Sequence, residues 1–373
     1  MEQSLFYSGN FGLERETLRI DAQGRLAQTS HPFGDDQHIT RDFCENQIEL
    51  ITPVCHSIKE VMQSLRKLHD SAEQKLLESQ EKIWLYSNPP HFESEQDIPI
   101  ARFAGEQSFK QNYREALEKR YGKRLMLFSG IHFNFSFSDE FLNGKDKNKI
   151  YLQLYQQLFR HSWLLVLLTA ASPVYDKSLD GDGLKGISNR KYASLRNSHR
   201  GYWNQFIPIL NHSSLKAFTE SIQEYVNKGL LFSASELYLP IRLKPRGDNS
   251  LENLLRNGID HIELRMFDLN PLCPLGIDER DLQFAHLLIL YLLNLREINL
   301  TPEQQEQAVH EHQSAALYQP DSNLLNQADK ILTEMQNCFQ ENSDALSIID
   351  YQQNKLKNKR LCEQIRSEEI YTQ

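Results

Sequence analysis

The chain has 373 residues, 40% of them hydrophobic and 24% charged, which is the balance of a soluble globular protein long enough for one large domain or two ordinary ones. Lys and Arg total 41 against 50 Asp and Glu, a net charge of −9, so no basic excess steers the chain to nucleic acid or to an anionic membrane. The five cysteines, Cys44, Cys55, Cys273, Cys338 and Cys362, are odd in number and form no C-x-x-C pair. They argue against a disulfide framework or a structural zinc site, and for a reducing, cytoplasmic compartment. No secretory leader is read at the start, where Glu14, Arg15 and Glu16 precede any apolar run. The longest apolar runs, Trp163 to Leu168 and Leu287 to Leu293, fall well short of the roughly 20 residues a membrane span needs and read as buried helices.

Gly9 to Ile20 reads as a strand. Within it, GLERETLRI sets Glu14 and Glu16 on one side, and two adjacent carboxylates repel unless a cation lies between them. The alternative is a solvent-exposed edge strand with Arg15 and Arg19 on its opposite face. DFCENQIEL follows with Asp42 and Glu49, residue types that are commonly surface groups. A helix starts at Ser57, which has capping-box spacing to Glu60, and continues through Ile58, Val61, Met62, Leu65, Leu68, Ala72 and Leu76.

Gly130 to Phe137 is a second strand. Ile131, Phe133, Phe135 and Phe137 make one face wholly apolar, so His132 and Asn134 on the other must meet solvent or a polar cleft. A helix spans about Lys149 to Ala171, stopped by Pro173, and Asp180 to Gly186 is a loop. Leu231 to Leu243 and His261 to Asp268 read as strands. On the latter, His261, Glu263 and Arg265 share a face, and Glu263 with Arg265 fits either a surface ion pair or a site. After Asp278 the chain turns helical, with Pro302 restarting a helix at its first turn. From about Asn342 the polar tail is either a solvated helix or partly disordered.

Strands and helices mix without βαβ alternation, and neither G-x-x-x-x-G-K-[ST] nor G-x-G-x-x-G occurs. This predicts an α+β fold, an antiparallel sheet with helices packed on it. Glu14, Glu16, Asp42, Glu49, Glu263 and His132 together supply five carboxylates and an imidazole on strand-like segments. Hard oxygen donors with an occasional nitrogen suit Mg²⁺ or Mn²⁺. Several divalent ions in turn imply a polyanionic substrate, most often ATP.

The motifs GLERETLR, DFCENQIELITP, YREALEKRYG, SGIHFNFSF, SLRNSHRGYWN, ELYLPIR and HIELRMFDLNPLCPLGID occur in one order. In that order the chain resembles the bacterial glutamate–cysteine ligases of proteobacterial type, which also form the amino-terminal half of fused glutathione-synthesising enzymes. The resemblance runs from Gly9 to the helix after Asp278. It implies a glutamine synthetase-like fold, in which a curved, mainly antiparallel sheet forms a funnel with metals and ATP at one end and amino acids at the other. It implies metal ligation by Glu14, Glu16, Asp42, Glu49, His132 and Glu263. It implies that Arg265 contacts the transferred phosphoryl group, with Glu14 and Glu263 as its catalytic companions. Tyr113, Arg114, Leu117, Arg196, Tyr202 and Tyr238 would form the amino-acid site for glutamate and cysteine, Asn134 and Arg265 would also bind substrate, and ATP would be the co-substrate.

The implied reaction activates the glutamate γ-carboxylate as an acyl phosphate, which the cysteine amine then attacks. It needs no enzyme nucleophile, in keeping with the lack of a Ser-His-Asp or reactive-Cys motif. Residues 1–300 would form the catalytic domain and residues 301–373 a helical extension. Members of this type usually run longer, and after Asn299 no counterpart is evident. The length leads to the expectation that an ATP-grasp domain is not included and that the chain does not complete glutathione by itself. The competing expectations are a ligase joining glutamate to another amine, or a non-catalytic glutamate or nucleotide sensor.

Overall fold

The computed structural model describes residues 8–103 and 109–366. Its strands are β1 (Gly9–Ile20), β2 (Ile39–Thr40), β3 (Gln47–Ile51), β4 (Lys82–Ile83), β5 (Ile131–Phe137), β6 (Val174–Asp176), β7 (Ile187–Asn189), β8 (Ile241–Lys244) and β9 (His261–Phe267). The main sheet runs β2-β3-β1-β5-β9-β8, with β4 paired to the end of β1, and every pairing in it is antiparallel. β6 and β7 form a small separate hairpin around the loop at Asp180 to Gly186.

The principal helices are α1 (Ile58–Leu77), α2 (Phe109–Tyr121), α3 (Lys147–Thr169), α4 (Leu215–Asn227), α5 (Leu251–Asn257), α6 (Glu279–Leu293), α7 (Pro302–Ala315), α8 (Ser322–Cys338) and α9 (Ser343–Lys357). The strand alternation decides where they pack. Leu13, Ile48, Leu50, Phe133, Phe135, Leu243, Ile262 and Leu264 leave one face of the sheet fully buried. α1 covers the β1 and β3 end of that face, α3 covers β8 and β9, and α6 packs against both helices. The other face carries the polar residues and stays free for a cleft.

β1 lies inside the sheet, between β3 and β5, so the exposed-edge alternative is excluded. Arg15 and Arg19 do point away from Glu14 and Glu16, but both are fully buried. Arg15 Nη1 meets His69 Nδ1 of α1 at 3.0 Å, and Arg19 pairs with the buried carboxylate of Glu81.

Local capping explains the helix boundaries. Ser57 Oγ accepts from the Glu60 amide, whereas Glu60 Oε2 accepts from the amide of His56 rather than of Ser57. α3 begins two residues earlier than its pattern suggested, because Asp146 caps it by accepting from the Lys149 amide. α7 begins at Pro302 behind a full capping box of Thr301 and Gln304.

The segment Leu231 to Leu243 departs from expectation, since only Ile241–Lys244 is a strand. Before it the chain wraps around the buried carboxylate of Glu236, which accepts from the Phe232 amide, Arg120 and the Tyr121 hydroxyl. Pro240 then has no N–H for a ladder. The polar tail is a docked helix as far as it is described. α9 buries Ala345, Ile349, Gln352 and Lys355, and Lys355 Nζ lies 2.6 Å from Asp281 Oδ1 of α6. Among the described residues no helix is long and apolar enough to cross a membrane.

Candidate active site

The register of the sheet brings the scattered acidic residues into one array. Directly opposed residues of an antiparallel pair share a face, and the pairs are Glu16 with Glu49, Glu14 with His132, and Asn134 with Glu263. The β5–β9 register shifts between Ile131 and Phe133, so that His132 lies opposite one extra residue of β9. The four glutamates and His132 floor a cleft of about 550 Å³. All the residues singled out from sequence line it except Asn134 and Arg196.

Asn134 faces an adjoining cavity of about 400 Å³ that shares Glu14, Val54, Arg246, Asp260 and His261 with the cleft. From there its Nδ2 donates to Glu14 Oε1 at 3.1 Å. Arg196 is buried behind the cleft and donates to the Phe267 carbonyl at 2.9 Å. It borders a cavity of about 40 Å³ together with Tyr202, Tyr238, Arg265 and His312.

At the centre, His132 Nδ1 lies 3.2 Å from Glu14 and 3.3 Å from Glu263, while its Nε2 lies 3.6 Å from Glu16. Burial works against the imidazolium, but Glu16, Glu14 and Glu263 outweigh it and push its pKa up to about 9. Glu263 and Arg265 are not a surface pair. They stand 3.8 Å apart, and the Glu263 side chain is 1% exposed.

Two cations on β8 were not singled out from sequence. Lys244 Nζ lies 3.0 Å from Glu14 Oε1 and 2.9 Å from Glu263 Oε1, and Arg242 Nη1 lies 3.7 Å from Glu263 Oε2. Burial opposes ionisation of both carboxylates. Lys244 overrides it first, assisted by His132 at both and by Arg242 at Glu263, so Glu14 falls to about 2 and Glu263 well below its usual range. Glu49 goes the other way. Burial, then Glu14, Asp42 and Glu16, push its carboxyl well upward, and burial also raises Glu16. The signal for the two cations was the alternation Ile241, Arg242, Leu243, Lys244, too short to distinguish a site from a solvated strand.

The array fits a divalent cation. Glu14, His132 and Glu263 can each offer one donor atom, and these atoms lie within 4.8 Å of one another. Glu263 Oε2 is buried without a hydrogen-bond partner. The donors are hard oxygens and one imidazole, the set that suits Mg²⁺ or Mn²⁺.

Part of the cleft lining is aromatic. The Tyr202 and Tyr238 rings are 4.2 Å apart, Leu117 is buried beside them, and burial raises the phenol pKa of Tyr113, Tyr202 and Tyr238. α2 supplies Tyr113, Arg114 and Leu117. Arg114 is fixed by donating to the Asp42 carbonyl and by lying over the Phe103 ring, 4.6 Å from its centroid. The loop carrying Arg196 and Tyr202 folds back tightly, with the Tyr202 amide donating to the Arg196 carbonyl at 3.1 Å. A Cβ at Gly201 would lie 1.8 Å from that carbonyl oxygen, so only glycine fits there. Asp268 and His312 hold the same loop from behind, through Ser194 and Asn197.

Fold and site define an α+β protein whose antiparallel sheet presents an acidic, cation-flanked cleft with a partly aromatic lining. The glutamate-cysteine ligase family model matches residues 1–230 and 209–315. The chain belongs to the glutamate-cysteine ligase family. It is 39% identical over 340 residues to the glutathione biosynthesis bifunctional protein of Listeria monocytogenes, covering 84% of this chain and 44% of that one. It is 35% identical over 377 residues to the protein so named from Streptococcus agalactiae, covering 96% and 48%. The chain thus spans less than half the length of the curated relatives it matches.

Among solved structures, a bifunctional glutathione synthetase from Pasteurella multocida superposes with a TM-score of 0.85 at 28% identity, over 97% of this chain and 50% of that one. A glutamate–cysteine ligase from Francisella tularensis in complex with AMP shares the fold, with a TM-score of 0.87 at 24% identity over 96% of this chain and 84% of that one. Most of the segment after Asn299 therefore has a structural counterpart, contrary to expectation.

Proposed function

We propose that this chain joins the γ-carboxylate of L-glutamate to the amine of L-cysteine at the expense of ATP. The products are γ-glutamylcysteine, ADP and phosphate, and the reaction opens glutathione biosynthesis. The observation that carries this reading is the pairing, in one cleft of about 550 Å³, of a cation-seeking acidic floor with a partly aromatic, phenol-bearing lining.

Glu14, Glu16, Asp42, Glu49, His132 and Glu263 would hold Mg²⁺ or Mn²⁺, which when bound supplies positive charge at the transferring phosphoryl group. Arg265 and Arg242 line the same cleft and add fixed positive charge where negative charge grows on the phosphoryl oxygens, with Lys244 as a further, movable cation. The γ-carboxylate oxygen attacks the terminal phosphorus and ADP leaves. The cysteine amine then attacks the acyl carbon, phosphate leaves, and the nitrogen gives up its proton. Leu117, Tyr202 and Tyr238 would orient cysteine, with Tyr113, Arg114, Asn134 and Arg196 completing the substrate site. Residues 1–300 would be the catalytic body and residues 301–373 its helical extension. We place the protein in the cytoplasm, with small molecules as its partners and no nucleic acid or membrane.

Incubation with ATP, Mg²⁺, glutamate and each of the twenty amino acids tests this, read as phosphate release and product mass. Cysteine should give the highest rate. A different preferred amine would make the chain another glutamate ligase, and binding without turnover would make it a sensor.

A further inference from the structure

We propose that Lys244 is a tethered counter-ion. Its ammonium holds the cation position between Glu14 and Glu263 when no metal is present, and a divalent ion must displace it to bind there. This rests on the reading that the cleft takes a metal-bound nucleotide.

The ammonium sits 3.0 Å from one carboxylate and 2.9 Å from the other, on two of the three residues whose donor atoms converge for a metal. Two carboxylates this close, one fully buried and the other only 19% exposed, need positive charge between them in every state of the protein. An ammonium meets that need but has no lone pair and cannot share the site with an ion of the same sign. The exchange is therefore one for one, and the lysine is built for it. Its stem is anchored on β8 opposite His261, and the cleft beside it gives the four-carbon chain room to swing while its Cα stays in the sheet. Arg242, two residues away on the same face, stays near Glu263 Oε2 and keeps part of the charge compensated during the exchange. The price of this arrangement is a weakened affinity for metal alone.

The test is Mn²⁺ titration of the nucleotide-free protein by calorimetry, comparing wild type with Lys244→Met and Lys244→Arg. The Met variant keeps the length of the side chain without its charge, and the Arg variant keeps the charge. The proposal expects one equivalent of Mn²⁺ to bind at least about tenfold more tightly to the Met variant, with no gain in the Arg variant. It also expects the thermal midpoint of the Met variant to fall in chelator and to recover with Mn²⁺. A Met variant that is unfolded in chelator but regains the wild-type circular dichroism with Mn²⁺ supports the same conclusion. Unchanged or weakened Mn²⁺ affinity overturns it, as does a Met variant unfolded in both conditions. Wild-type turnover in the same preparation separates the two readings. Absence of cysteine-dependent phosphate release overturns the ligase assignment, whereas unchanged Mn²⁺ affinity with turnover intact overturns only the role of Lys244.

Discussion

Gly130 leaves the space that the guanidinium of Arg196 fills: a Cβ at Gly130 would lie 2.5 Å from Arg196 Cζ. The backbone there makes no demand for glycine, since Gly130 is not among the positive-φ residues. The constraint is the close approach of the arginine, which is buried and tied to the Phe267 carbonyl. Gly130→Ala should therefore push Arg196 off its acceptor. Overpacking of this kind costs about 1–3 kcal/mol, to be read by urea unfolding. If Arg196 serves glutamate, the KM for glutamate should rise more than kcat falls. Wild-type stability and KM in this variant would show that the guanidinium has a second resting place.

Glu14→Gln and Glu263→Gln should each lower kcat by at least about 10²-fold while leaving the circular dichroism spectrum native. Both side chains stand on strands whose opposite residues, Leu13 and Leu264 among them, form the core, so the floor can change without disturbing the packing. Turnover within tenfold of wild type in both would remove them as essential groups.

His132 gives the metal-free protein a pH dependence of definite sign. Its pKa is near 9 in the folded chain, against roughly 6.5 when unfolded. Between those values the folded chain keeps a proton that the unfolded chain has lost. The stability from His132 is thus complete below about pH 6.5 and is lost as pH rises through about 9. Denaturant titrations in chelator should show stability falling across that window, by up to about 1.4 kcal/mol per pH unit. His132→Gln should flatten the slope, and an equal slope in that variant would assign it elsewhere.

Much of this was legible in the sequence because strand alternation is a local rule. Ile131, Phe133, Phe135 and Phe137 fix the buried face of β5, and His132 and Asn134 follow on the other. Neighbouring strands are not local. Whether Glu14 lies on an edge or at the centre depends on β3 and β5 both pairing with β1, which no pattern within β1 states. Lys244 was missed for the same reason. A lysine at the end of a short strand looks solvated until Glu14 is placed beside it from 230 positions away in the chain. The false strand before Ile241 failed because Glu236, an acidic residue in an apolar run, draws donors from α2 and turns the backbone around itself.

A glutamate-derived sulfoximine should be phosphorylated by ATP in the cleft and then held tightly, because a site made for the tetrahedral adduct binds its mimic better than the substrate. The measurement is recovery of activity after gel filtration, with and without ATP in the preincubation. Inhibition that needs no ATP and reverses at once would rule out the acyl-phosphate route.

The aromatic part of the cleft lining sets the last expectation, the choice of amine. Leu117 and the closely packed rings of Tyr202 and Tyr238 make a small apolar wall, and the Tyr202 hydroxyl is already turned to Met126 Sδ at 3.4 Å. Such a wall senses size well and sulfur poorly. Replacing the thiol with a methyl group should cost only about 1–3 kcal/mol, so L-2-aminobutyrate should be a working but poorer substrate than L-cysteine. Serine should be worse, because its hydroxyl must lose water on entering a largely apolar site. Glycine and ammonia should be very poor, since they leave the wall uncovered. The measurement is kcat/KM for each amine at saturating ATP and glutamate, and Leu117→Ala should narrow the gap between cysteine and a bulkier amine. If glycine, ammonia or a bulky amine outruns cysteine in the wild-type protein, the wall does not read the second substrate and the cysteine assignment fails.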